Sequence, residues 1–270
     1  MTVINLPIGE VVEVAIDWMT KNLSDFFDII KLILLGVLNL FEGIFNGILG
    51  LIVLICWLRV GKKESILAAI GLCLIYGMNL WSETMETLAL VLTATFIALA
   101  IGIPLGIWMA RSDKLDQIVR PILDFMQTMP AFVYLIPAVY FFDLGQVPGA
   151  VATVIFAMPP VVRLTSLGIR QVSEDVIEAS DSFGATYKQK LFQVQIPLAM
   201  PTILAGLNQT IMLSLSMVVI SSMIGGGGLG NVVLRGITQM KVGEGFEGGL
   251  AVVILAMILD RVTQSLGKEK

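Results

Sequence analysis

Apolar residues run through this chain in long stretches, and the polar breaks between them set the expected elements. Residues 10–31 are the exception. Their polar positions, Glu10, Glu13, Asp17, Lys21, Ser24, Asp28 and Lys31, recur every three or four residues and form one stripe of a helix. Such a helix either lies in the membrane interface or packs half-buried on the rest of the protein. A membrane-crossing helix needs about 20 mostly apolar residues. By that measure spans are expected over about 43–58, 65–81, 85–110, 122–142, 147–168, 201–224 and 246–262. The pattern leaves open whether 29–41 continues the lateral helix or belongs to another span. Pro130 and Pro137 interrupt the fourth span, and Pro159 and Pro160 interrupt the fifth. Prolines inside spans are tolerated where neighbouring helices or a cavity satisfy the freed carbonyls. They fit either a translocation path or simple kinking for packing.

Composition agrees with a membrane setting. Charged residues are 14% and apolar residues 56% of the 270, and mean hydropathy is +0.89. Soluble domains carry about 25% charged residues. The expected class is therefore an all-α polytopic membrane protein, with about seven spans plus an N-terminal amphipathic lateral helix. The first residues, MTVINLPIGEVVEV, lack the basic start and cleavage site of a signal peptide. Of the basic residues, only Lys21, Lys31, Arg235 and Lys241 fall on one side of this topology. The remainder mark the other side as cytoplasmic, so the C-terminus is expected inside. The longest polar stretch, Arg163 to Gln195, then lies in the cytoplasm.

Candidate chemistry is sparse. The chain has no histidine and a net charge of −4, without a basic stripe, so nucleic acid is not an expected partner. Cys56 and Cys73 sit in apolar runs and are expected to be buried thiols; they cannot form a four-ligand zinc site alone. The run Gly225–Gly230 satisfies G-x-G-x-x-G, but no strand precedes it and no acidic residue follows at the right distance. It reads as a flexible external turn or gate. No G-K-[ST] occurs, so no nucleotide P-loop is expected on this chain. Acidic residues gather at span ends, at Glu83, Glu86, Asp124, Asp143 and Asp260, and form no intramembrane proton relay. An external energy source is the natural complement. The alternative is a motor-independent osmolyte channel or secondary carrier.

The segment EASDSFGATYKQKLFQVQIP, 178–197, narrows this reading. Val176, Ile177, Ala179, Phe183, Tyr187 and Leu191 recur at near-helical spacing. A short helix with a turn at Gly184 would form an amphipathic knob able to seat in a groove of a soluble partner. The segment resembles the EAA loop of the permease subunits of ATP-binding-cassette importers. Glu178, Ala179 and Ser180 stand for EAA, and Gly184, Val194, Ile196 and Pro197 follow at the family spacing. Ser180, Val194 and Ile196 are small departures from that pattern. The resemblance implies that Glu178, Ala179, Ser180, Phe183, Gly184, Ile196 and Pro197 form the ATPase-coupling loop. It also implies two ATPase subunits that carry the ATP and Mg, no cofactor on this chain, a second permease copy as a homodimer, and an extracytoplasmic solute-binding protein. No covalent chemistry is expected here.

Three further stretches, 123–142, 156–172 and 207–230, are similar to permeases for glycine betaine and proline betaine. That likeness implies a quaternary ammonium cargo such as glycine betaine, choline, carnitine or proline betaine. Cation–π contacts recognise such groups. Phe125, Phe132, Tyr134, Tyr140, Phe141 and Phe142 lie in one kinked span, beside Met126 and Met129. The expected path residues are Met126, Met129, Pro130, Phe132, Tyr134, Pro159 and Pro160, although lipid-facing or packing roles are the better reading for most of the aromatics. The expected organisation is a lateral helix region (1–42), peripheral spans (43–82), a core permease domain (83–265) holding the coupling loop (173–197), and a tail (266–270).

Overall fold

A computed structural model describes residues 8–47 and 62–266. The first expected span, 43–58, and the tail fall largely outside these residues. Every described regular element is helical. The polar stripe at 10–31 forms two helices, α1 (Ile8–Asn22) and α2 (Ser24–Gly47), separated at Leu23. Residues 29–41 therefore continue the lateral segment. Phe27, Leu34 and Leu38 bury one face of α2 at helical spacing, while Phe26, Ile29, Leu32 and Ile33 stay exposed. This segment thus packs one face on the rest of the protein and leaves apolar residues open on the other. The expected second span is shorter than the pattern suggested. Helix α3 (Lys62–Gly77) stops at a turn where Asn79 has φ +57°, and its apolar part covers only Ile66–Gly77. Ala68, Leu72 and Ile75 seat it on the last helix. Cys73 on α3 is exposed, not buried as expected, because it lies off that packed face.

The core begins with α4 (Trp81–Arg111), whose 31 residues extend about 46 Å at 1.5 Å per residue. Next come α5 (Asp113–Thr128), a 3-10 turn (Ala131–Tyr134) and α6 (Leu135–Phe142). The expected fourth span is these elements together, starting at Asp113 and bent by 107° at Met129–Pro130. Helix α7 (Gln146–Arg170) is the central element, lying between α4 and a long helical run from Tyr187 to Ser222. Val161 and Val162 are fully enclosed there. Close packing rests on small residues. A Cβ at Gly106 would sit 2.6 Å from the Val162 carbonyl oxygen, and one at Gly102 would sit 2.6 Å from Val161 Cγ1. These contacts fix how near α4 approaches α7.

The polar segment that follows holds α8 (Glu174–Ser182) and α9 (Tyr187–Gln189). A π-helical stretch, Lys190–Gln195, then leads without a break into α10 (Ile196–Ser222). The sixth span, expected from about 201, therefore begins earlier, and the helix runs through Pro197 and Pro201. The wider π turns precede Pro197 and accommodate its missing N–H. The fifth span likewise extends to Arg170, so Arg163 belongs to α7 and not to a loop. After α10 come α11 (Gly228–Thr238) and α12 (Val242–Leu266). Four described helical runs are long and apolar enough to cross a membrane, and the bent pair makes a fifth.

Candidate functional site: a projecting knob and a charged cavity

Two features share one end of the bundle. The first is the knob built by α8 and α9. Its turn is set by Gly184, which adopts φ +74° and donates its N–H to the Asp181 carbonyl at 2.9 Å; Ala185 N–H donates to Ser180 O at 3.1 Å. A left-handed residue closing the last turn is a standard helix ending, and glycine takes that conformation without penalty. The next turn starts with a capping box, in which Thr186 Oγ1 accepts from Gln189 N–H and Gln189 Oε1 accepts from Thr186 N–H. Lys190 Nζ then holds both Asp181 oxygens, at 2.6 and 2.8 Å. The Arg111 guanidinium lies 3.8 Å over the Tyr187 ring, and Leu191 is buried among Ile169, Ala199 and Ile203. The knob is thereby fastened to the ends of α4, α7 and α10.

Its other face is open. Glu178, Ala179, Gly184 and Pro197 are exposed, and Phe183 is 93% exposed. Ser180 is half-buried and donates its hydroxyl to Ile177 O at 2.7 Å. Ile196 is half-buried against the Leu191 cluster. The structure brings Glu178 through Gly184 onto one projection, while Ile196 and Pro197 lie on the helix behind it. Phe183 is the most exposed of the large apolar side chains among the described residues.

The second feature is a cavity of about 620 Å³ between α5 and α7. Asp116, Arg120, Asp124 and Gln127 line it from α5 at near-helical spacing, and Pro160, Arg163, Leu167 and Arg170 line it from α7. Arg163 pairs with Asp124, Arg170 pairs with Asp113 at 2.7 Å, and Arg120 pairs with Asp116 at 2.8 Å. Reading the sequence treated 111–121 as a connection and Arg163 as a loop residue, so this cavity was missed. The signal was available in the four-residue repeat Asp116–Arg120–Asp124, which makes one charged face on a helix.

The expected path residues do not form one lining. Met126 packs with Met109, Leu123 and Val162, and its carbonyl accepts from the Tyr134 hydroxyl across the Pro130 bend. Met129 and Tyr134 join a cluster with Ala152 and Met217. Phe132 is exposed, Pro159 is buried, and only Pro160 reaches the charged cavity. The aromatic residues disperse as well. Phe141 stacks on Phe27 of α2 at 4.2 Å, Phe142 meets Phe27 edge-on, and Phe125 and Tyr140 are exposed. Most of these rings pack or face outward, which was the alternative reading.

At the opposite end, the glycine run is anchored. Glu86 accepts Gly228 N–H at 2.7 Å and Gln146 Nε2 at 2.6 Å, and Thr87 Oγ1 accepts Leu229 N–H at 2.8 Å. A Cβ at Gly227 would collide with the Glu86 carboxylate, so the backbone must stay bare there. This is a carboxylate capping the N-terminus of α11, where the helix dipole favours negative charge. The expected turn is thus clamped to α4 and α7 at the start of α11.

Comparison with known proteins places this geometry. Residues 102–267 match the family described as the binding-protein-dependent transport system inner membrane component. The chain is 50% identical to the glycine betaine/carnitine transport permease protein GbuB of Listeria monocytogenes, across 98% of this chain and 96% of the relative. It is also 50% identical to the glycine betaine/proline betaine transport system permease protein ProW of Escherichia coli, across 98% and 76%. Among solved structures, an inward-facing conformation of the MetNI methionine ABC transporter aligns with 70% of this chain and 92% of its own, at TM-score 0.59 and 24% identity. That last likeness establishes a shared fold.

Proposed function

This chain belongs to the binding-protein-dependent transport system inner membrane component family, and from that premise we propose that it is the membrane-spanning half of an ATP-driven importer for glycine betaine or a related quaternary ammonium solute. The observation that carries the proposal is the rigid knob 174–189, with Phe183 almost wholly exposed at its tip. A fastened projection transmits force where a loose loop would not. Two copies of this chain pair in the importer. The knob of each sits in a groove of a cytoplasmic ATPase, which carries the ATP and its magnesium ion. A solute-binding protein docks at the opposite, outer end. In this arrangement the C-terminus is cytoplasmic.

Closure of the ATPase pair draws the knobs together. Because Lys190, Leu191 and Arg111 fasten each knob to α10, α7 and α4, the displacement passes to the helices around the charged cavity. The bend at Met129–Pro130 is the natural place for α5 and α6 to move relative to each other. The names of the relatives GbuB and ProW support the glycine betaine assignment. A photo-crosslinking residue placed at Phe183 in cells accumulating solute tests the docking. Capture of the ATPase subunit is expected, and crosslinks to lipid alone would refute it.

A further inference from the structure

The charged cavity between α5 and α7 has no assigned role. It lies beside the pivot of the bundle, in a chain whose spans are otherwise almost free of charge. Its chemistry is mixed in sign, with guanidinium groups and carboxylates facing one another at close range. A purely structural ion pair would complete its hydrogen bonds. Here Arg163 gives one terminal nitrogen to Asp124, while its Nε is buried with no partner. Asp116 likewise places one oxygen on Arg120 and leaves Oδ1 buried and unpartnered. Unsatisfied buried polar atoms are costly, and these two, one on each side of the cavity, leave its charge pairs incompletely satisfied.

We propose that this cavity is a transit site for a zwitterion bearing a carboxylate and a quaternary ammonium group, a reading that rests on the importer assignment above. Arg163 receives the carboxylate, because a guanidinium fork matches two carboxylate oxygens. Asp124 already holds one arm of that fork and acts as the internal competitor that the cargo displaces. A quaternary ammonium has no N–H to donate and needs only opposite charge and apolar contact. Asp116 supplies the charge, and Leu164, Leu167 and Met109 supply apolar wall. The cavity is several times larger than such a solute, so water shares it and the hold is weak. Weak, multi-point binding suits a path, which must release what it admits.

Saturation-transfer NMR on the methyl protons of glycine betaine tests this with the whole nucleotide-free transporter in nanodiscs of choline-free lipid and no solute receptor. Wild type is expected to give saturation transfer that tetramethylammonium and acetate each reproduce poorly. Arg163→Gln is expected to weaken binding about tenfold, with Arg163→Lys intermediate. Asp124→Asn is expected to strengthen it two- to threefold, as roughly a released competitor would, and a misfolded variant cannot produce that gain. Wild-type strength in both Arg163→Gln and Asp124→Asn overturns the site, as does a wild type that gives no saturation transfer while accumulating glycine betaine in liposomes. A wild type that binds in this way but never accumulates solute with ATP and receptor overturns the importer assignment and leaves the site standing.

Discussion

Gly184 offers the sharpest separation between backbone conformation and side-chain space. Its φ of +74° belongs to the left-handed region, and a Cβ built there meets nothing within 4 Å. A substitution therefore adds no clash, and its whole cost is conformational. For an ordinary L-residue that cost is about 1–2 kcal/mol, and a β-branched side chain lies at or above the upper end. Asparagine tolerates the conformation best among the non-glycines. A cost of about 1.4 kcal/mol lowers the population of the native turn tenfold against its competitors. The hydrogen bonds from Gly184 and Ala185, at 2.9 and 3.1 Å, hold the turn only locally, so a penalty of this size lets α8 lose its fixed direction relative to α9. Proteoliposomes holding the full importer would report this as ATP- and receptor-dependent solute uptake. The expected order is Gly, then Asn, then Ala, then Val, with Val at least about tenfold down. Thermal unfolding of the membrane subunit should not change, because the position touches nothing else. Asp shares the tolerance of Asn, so a deficit in Gly184→Asp beyond Gly184→Asn measures added negative charge beside Asp181. Equal losses for Asn and Ala, or full activity for Val, would refute the conformational account.

The remaining predictions concern packing and charge. Gly106→Val sets a side chain against the Val162 carbonyl and Thr165 and should destabilise the α4–α7 contact by about 1–3 kcal/mol, read as a lowered melting temperature by detergent-phase fluorimetry. Glu86→Ala strips the clamp from Gly228 N–H and Gln146 and should raise hydrogen exchange at 226–230 by about tenfold or more, since a hydrogen bond to a charged group contributes about 1.5–3 kcal/mol. Glu86→Gln should lose less. Asp181→Ala removes an ion pair between partly exposed groups, worth under about 1 kcal/mol, and should reduce uptake by less than about fivefold; a complete loss would give the pair a role beyond fastening.

What could be read from the sequence followed the strength of local constraint. The knob was legible because a short amphipathic repeat, a left-handed glycine and a fixed spacing all point to one arrangement, and the turn at Gly184 falls where the spacing put it. The long apolar runs gave α4, α7, α10 and α12. Boundaries failed where polar residues were taken as exits from the membrane. Arg163 remains on α7 because Asp124 on a neighbouring helix neutralises it, and that pairing crosses 39 positions of chain. Residues 113–121 fell between the expected spans, yet they belong to a regular helix whose Asp116 and Arg120 line a cavity. Of the prolines expected to interrupt spans, Pro137, Pro159 and Pro160 lie inside helices, and the sharp bend falls at Met129–Pro130. The glycine run concealed α11, since its bare backbone is required by Glu86, a residue on another helix that no local pattern reveals.

The central claim is that transport by this chain is driven from outside through the knob. Accumulation of labelled glycine betaine in liposomes holding this chain alone, or together with its ATPase and solute receptor, tests that claim most directly. Concentrative uptake only in the complete assembly, and only when ATP is supplied, is the predicted result. Concentrative uptake by the chain alone would contradict it.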